Sequence, residues 1–195
     1  MIPKVINQVW LYPPIDNKYL NWSKTFDISG FKHKIWELQD CLNLLSPETV
    51  SIIEDPNVHW IYKATFARYD ILRLFGGFYA DMDMECIKSF EDLCNQDFIC
   101  VKQNDREISD AFIGCSKNNS IIDRVYQKAL YNFNNLKNKS SKRWILETAS
   151  VFMITKELTD QIPLEQEYFC PIWKGRGKVT DKTYCIHHYT RSWKR

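Results

Sequence analysis

The chain has 195 residues, with 26 Lys plus Arg against 24 Asp plus Glu, and a net charge of +2. So balanced a charge excludes a polyanion binder on gross electrostatics and leaves room only for local basic patches, so no nucleic-acid partner is expected. With 45% apolar and 14% aromatic residues the composition is that of a core-forming protein, not a disordered one.

No apolar run is long enough to span a bilayer. The opening Met1-Ile2-Pro3-Lys4 lacks a charged-then-apolar leader pattern, and one soluble, cytoplasmic domain over residues 1–195 is expected. Seven cysteines without a C-x-x-C pair point to reduced, buried thiols in a reducing compartment rather than to structural zinc or a disulfide framework.

In chain order, Val5 to Trp10 reads as a first strand, stopped by Pro13-Pro14. Phe31 to Trp36 alternates apolar and polar residues and reads as a second strand, with Phe31, His33 and Ile35 on one face. Ser46-Pro47-Glu48 is a helix start: an N-cap, proline at the first helical position, then an acid. Residues 61–75 follow as a helix, Gly76-Gly77 breaks it, and Phe78-Tyr79-Ala80 is a short strand. Further strands are expected at Phe98 to Lys102 and Ala111 to Gly114, and a helix at Ile121 to Phe133. The polar run Asn132 to Lys142 reads as a helix end and solvated loop, and residues 143–158 fit helix or strand. Strands alternating with helices predict an α/β fold with a largely parallel sheet.

Just past the third strand comes Asp81-Met82-Asp83. On extended backbone two carboxylates at i and i+2 point to one side, and hard divalent cations such as Mg²⁺ or Mn²⁺ take such oxygens together with substrate phosphates. The motif alone is weak, because a chain this rich in aspartate contains such a pair by chance. The preceding helix adds context. At about 100° per residue, Ile61, Ala64, Ile71, Leu72 and Phe75 form an apolar stripe, and Lys63, Asp70 and Arg73 fall on the opposite, solvated face. Arg68 lands inside the stripe, where an unpaired charge would cost several kcal/mol. It is either a structural ion pair or a guanidinium held to reach hydroxyls, carboxylates or phosphates in a cleft. The expectation is that Arg68, Gly76-Gly77 and both carboxylates converge at one end of the sheet. Of the adjacent His187-His188 pair, alternation lets at most one ring reach a given ion.

The stretch Ala64 to Asp83, A-T-F-A-R-Y-D-I-L-R-L-F-G-G-F-Y-A-D-M-D, resembles the signature of glycosyltransferase family 32. It is also similar to the glucosyltransferase domains of large clostridial toxins. The opening I-P-K-V-I-N-Q-V-W and the closing His187-His188-Tyr189-Thr190-Arg191-Ser192-Trp193 resemble the family's ends. The resemblance implies a GT-A fold, a Rossmann-like α/β/α sandwich, and a metal-dependent transfer of a hexose from a nucleotide-sugar, UDP-linked by preference, to a glycan or protein-linked sugar. It implies retention of configuration, with the leaving phosphate helping to deprotonate the acceptor.

By the same resemblance Asp81, Asp83 and Arg68 are the catalytic group, and Asp83, Asp81 and His188 (or His187) hold Mn²⁺ or Mg²⁺. Trp10, Thr65, Arg68, Gly76, Gly77, Asp81, Asp110, Ser192 and Trp193 line the donor pocket. The chain departs from the family's pattern at Asn7, Thr65, Asp110 and Thr148-Ala149-Ser150. Two other readings stay open: a non-catalytic sugar-nucleotide or glycan-binding module, and a nucleotidyltransferase, whose glycines normally lie farther ahead of the first acid.

Overall fold

The computed structural model describes residues 1–28, 30–135 and 151–190. Its centre is a five-stranded sheet in the order β2-β1-β3-β6-β5, formed by β1 (Val5–Val9), β2 (Lys32–Trp36), β3 (Gly77–Ala80), β5 (Phe98–Asn104) and β6 (Glu107–Cys115). Parallel pairing joins β1 to β2 and to β3, while β6 runs antiparallel between β3 and β5. The fold is therefore the expected α/β class, with four strands running one way and β6 the other.

Alternation along the strands separates two cores. From β3, Tyr79 faces the helical layer while Phe78 and Ala80 face the other side; from β6, Ile113 and Phe112 divide likewise. The helical layer contains α3 (Pro47–Glu54), α4 (Trp60–Phe75) and α5 (Ser120–Asn134), with Tyr62, Phe66, Tyr126 and Phe133 in its core. Across the sheet, Phe78, Phe90, Phe112 and Phe169 form an aromatic core, Phe112 stacking on Phe169 with ring centroids 3.8 Å apart. Three smaller helices, α1 (Asn17–Lys24), α2 (Leu38–Leu44) and α6 (Val151–Glu157), complete the described α-helices, and a short antiparallel pair, β7 (Ile172–Trp173) and β8 (Arg176–Gly177), stands apart from the central sheet. Residues 151–157 are thus helical, Leu158 follows in a turn, and residues 143–150, Thr148-Ala149-Ser150 included, lie outside the described residues.

Two sequence expectations fail here. Lys63 and Asp70 are not solvated: they are 6% and 0% exposed, because α4 is covered on nearly all sides, and Phe75 of the apolar stripe is instead exposed. The Asp70 carboxylate accepts from Ser46 N and Ser46 Oγ at 2.7 Å each and from Arg73 Nη2 at 2.7 Å, tying α3 to α4. Second, Gly76-Gly77 lies at the start of β3, not beside the acids. Gly77 and Asp81 are four residues apart along extended chain, about 13 Å.

Each glycine has a packing reason to be there. Gly76 has φ 67°, and a Cβ on it would stand 2.7 Å from Lys117 N; Gly77 has φ 93°, and its Cβ would meet Val5 O at 2.6 Å. Neither lines the acidic end, so the donor-pocket role expected for them is withdrawn. Asn7 belongs to the same join: its side-chain amide donates to Phe78 O at 3.2 Å, and its Oδ1 accepts from Trp36 Nε1 at 2.9 Å.

Candidate active site

At the far end of β3 the chain leaves the sheet in a tight turn, Met84 N donating to Asp81 O at 3.0 Å. Asp81-Met82-Asp83 is therefore a turn rather than extended strand, and the two carboxylates converge by folding over instead of by alternation. The turn leads into β4 (Met84–Cys86), which pairs antiparallel with β9 (Cys185–His187), Met84 opposite His187. That small ladder brings residues from the two halves of the chain together. One oxygen each from Asp81 and Asp83 and one ring nitrogen of His187 all lie within 4.8 Å of one another.

Each member is fixed by its neighbours. Asp81 Oδ1 accepts from Arg68 Nη2 and from Tyr79 Oη, both at 2.8 Å. Among the described residues no hydrogen bond falls on its Oδ2. Asp83 Oδ2 accepts from Thr190 N at 2.8 Å and Thr190 Oγ1 at 2.9 Å, while its Oδ1 lies 3.2 Å from His187 Nε2. Arg68, with its side chain 8% exposed, reaches past Asp81 to Asp110, touching Oδ2 and the backbone oxygen at 2.7 Å each. Its guanidinium also lies 4.5 Å over the Tyr79 ring.

The charges follow from these contacts. Burial pushes the Asp81 carboxyl up, aided by Asp83 and Asp110 and opposed chiefly by Arg68. Burial works against the charge of Asp83 as well, but His187 and Thr190 outweigh it and hold the group at about 2. For His187 burial favours the neutral ring, yet the bond to Asp83 prevails and raises it to about 10. The ring's Nδ1 and the Tyr189 hydroxyl face the Cys170 sulfur without a hydrogen bond of ordinary geometry.

His188, first choice as metal partner in the sequence, turns the other way. Its Nε2 bonds Glu85 Oε2 at 2.9 Å and its ring stacks on Trp22 at 4.1 Å. The phase of β9 decides between the two histidines. Trp10 lies past the end of β1, its ring 5.1 Å from Tyr19, whose hydroxyl meets Thr190 Oγ1 at 3.1 Å. Thr65 is buried on α4 one turn before Arg68. Ser192 and Trp193 lie outside the described residues.

Three contributors carried no signal strong enough to single out: Thr190, Tyr79, and Gln8, whose amide holds the Asp81 carbonyl at 3.2 Å. All three stand inside the motif stretches, next to the residues whose chemistry is distinctive in sequence.

Residues 5–100 match the family model described as glycosyltransferase sugar-binding region containing DXD motif. The matched stretch contains one D-x-D, Asp81-Met82-Asp83. Over 212 residues it is 25% identical to a protein of Acanthamoeba polyphaga mimivirus described as uncharacterized glycosyltransferase L373, covering 99% of this chain and 84% of the relative. A solved structure titled PaToxG Glycosyltransferase superposes with a TM-score of 0.58 at 18% identity, over 83% of this chain and 70% of that one. At that identity the likeness is one of fold. Among the described residues, no helix is long and apolar enough to cross a membrane.

Proposed function

We propose that residues 1–195 form one cytoplasmic glycosyltransferase domain that moves a hexose, with retention, from a nucleotide-sugar (UDP-linked by preference) to a hydroxyl of a glycan or protein-linked sugar. The observation that carries this is the convergence of Asp81, Asp83 and His187 beside a buried Arg68. Two carboxylate oxygens and one imidazole nitrogen suit a Mn²⁺ or Mg²⁺ ion, with Mn²⁺ the better match to the nitrogen. When bound, such an ion supplies Lewis-acid stabilisation of the diphosphate leaving group.

The chain's own residues do the rest. Arg68 and Tyr79 hold Asp81 by one oxygen, leaving the other for the ion or a donor hydroxyl. Thr190 and His187 orient Asp83, and donors fixed in advance cost no reorganisation as charge develops on the phosphate. Trp10 offers a flat face for the nucleoside, and Asp110 and Thr65 border the sugar. Ser192 and Trp193 are assigned to the donor by the family resemblance alone. No side chain is assigned as nucleophile; the departing phosphate takes the acceptor proton.

The test is hydrolysis and transfer across a panel of nucleotide-hexoses with Mn²⁺, Mg²⁺ or a chelator. Turnover is expected with metal only, and Asp83→Asn is expected to lower it at least ~10²-fold. Full activity in chelator overturns the assignment. Tight binding of Mn²⁺ and UDP without turnover on any donor would establish a binding module instead.

A further inference from the structure

The ladder that assembles the acidic site also opposes two cysteines. Cys86 and Cys185 are direct partners across β4 and β9. His188 N donates to Asp83 O and Ile87 N to Tyr184 O, each at 2.9 Å. The 83/188 and 87/184 pairs are therefore hydrogen-bonded ones, and 86/185, one step away, is a non-hydrogen-bonded pair. Residues opposed in that way have Cα atoms about 4.5 Å apart and side chains on the same face at closest approach. That spacing lies within the ~4.4–6.8 Å a disulfide accepts. The Cys86 thiol donates to Lys88 O at 3.3 Å, and the neighbouring Cys185 is the chief influence lowering its pKa.

Access is graded: Cys86 is 9% exposed and Cys185 fully buried. In the central sheet, by contrast, Cys100 and Cys115 face Ile113 and Phe98 rather than other thiols, and burial pushes both up to about 12.

We propose that Cys86 and Cys185 are a modification site, a reversible cross-strand disulfide formed by a peroxide. The Cys86 sulfur attacks the peroxide O–O bond, giving a sulfenic acid and releasing water from hydrogen peroxide. The Cys185 sulfur then attacks the Cys86 sulfur, the S–O bond breaks and a second water leaves. Overall two thiols lose two protons and two electrons, and one peroxide becomes two waters. The bond ties the strand leaving Asp83 to the strand delivering His187 and Thr190. It closes a loop of about 100 residues, which restricts the unfolded chain most. The proposal concerns the chain itself and does not depend on which sugar, if any, is transferred.

To test it, the reduced full chain is treated with hydrogen peroxide, blocked with N-ethylmaleimide, unfolded and mapped by mass spectrometry. One linked peptide pair joining Cys86 to Cys185 is expected, two hydrogens lighter than its reduced parts and released by dithiothreitol. The oxidised protein should melt at a higher temperature than the reduced one, and Cys86→Ser should abolish both the link and the rise. A bond from Cys185 to Cys170, arrest of Cys86 as a sulfinic acid, or unchanged thiols at stoichiometric peroxide overturns the proposal. The wild-type peptide map decides the matter even where the variant folds poorly.

Discussion

Arg68 pairs with two carboxylates at once, Asp81 at 2.8 Å and Asp110 at 2.7 Å, from a side chain almost wholly out of water. A guanidinium presents several N–H donors in a fixed fork, whereas a lysine ammonium is a compact point charge. Arg68→Lys therefore keeps the charge but cannot serve both partners, and Arg68→Ala strands two acids beside the site. Breaking a buried pair by removing one partner typically costs about 3–5 kcal/mol. There is also a sign to work out. Arg68 is the chief influence holding down a carboxyl that burial pushes up, so weakening it raises Asp81 further and keeps it protonated to higher pH. Both variants should melt lower than the wild type. Arg68→Lys should bind Mn²⁺ more weakly at pH 6, with affinity recovering as pH rises. Thermal melts paired with Mn²⁺ titrations at several pH values check this. Wild-type affinity at every pH would make Arg68 a structural brace only.

At the scale of elements, α4 and the chain on either side of it do two separate jobs. Toward its C-terminal end, Asp70 ties in α3 and Gly76-Gly77 opens β3 at the end of the sheet remote from the acids. Asp70→Ala removes the acceptor for Ser46 and Arg73, a loss of about 1–3 kcal/mol, and should leave Mn²⁺ affinity unchanged in the folded fraction. Gly77→Ala meets both a positive φ, of order 1–3 kcal/mol for a non-glycine residue, and the Val5 carbonyl; it should fold poorly if at all. A folded Gly77→Ala protein that fails only in donor binding would restore the glycines to the pocket.

These elements also show what was legible in the chain. Periodicity located α4 and α5, and Pro47 marked the start of α3, because each is a local signal. The same periodicity misread Asp70 and Lys63, since a helix covered on nearly all sides has no solvated face, and burial is set by elements distant in sequence. Nor could alternation choose between His187 and His188: it puts them on opposite faces, and only the pairing of Met84 with His187 says which face meets Asp83. The D-x-D itself was legible for a different reason from the one expected, as it folds into a turn.

Across the whole molecule, the acidic site is built where a central-sheet strand ends and a separate two-stranded ladder begins. Asp81 follows β3, whose core positions pack on both faces of the five-stranded sheet, whereas among the described residues β9 pairs only with β4. The two contributions should therefore separate on truncation. Deleting residues 187–195 removes His187 and Thr190, the two groups that orient Asp83. It leaves Tyr184 and Cys185 in the aromatic core and every strand of the central sheet intact. The truncated chain should keep its far-ultraviolet circular dichroism and a cooperative melt. Its affinity for Mn²⁺ with UDP should fall by at least tenfold, the smaller end of what removing an orienting partner costs a metal site. Calorimetric titration beside the melt reads both quantities on one sample. Retained affinity would place the metal–diphosphate contacts entirely on the residues before β9. Loss of the cooperative melt would instead make the ladder part of the fold's foundation, and Thr190→Ala, which spares every strand, would then carry the comparison: it should weaken Mn²⁺ binding while the melt stays cooperative.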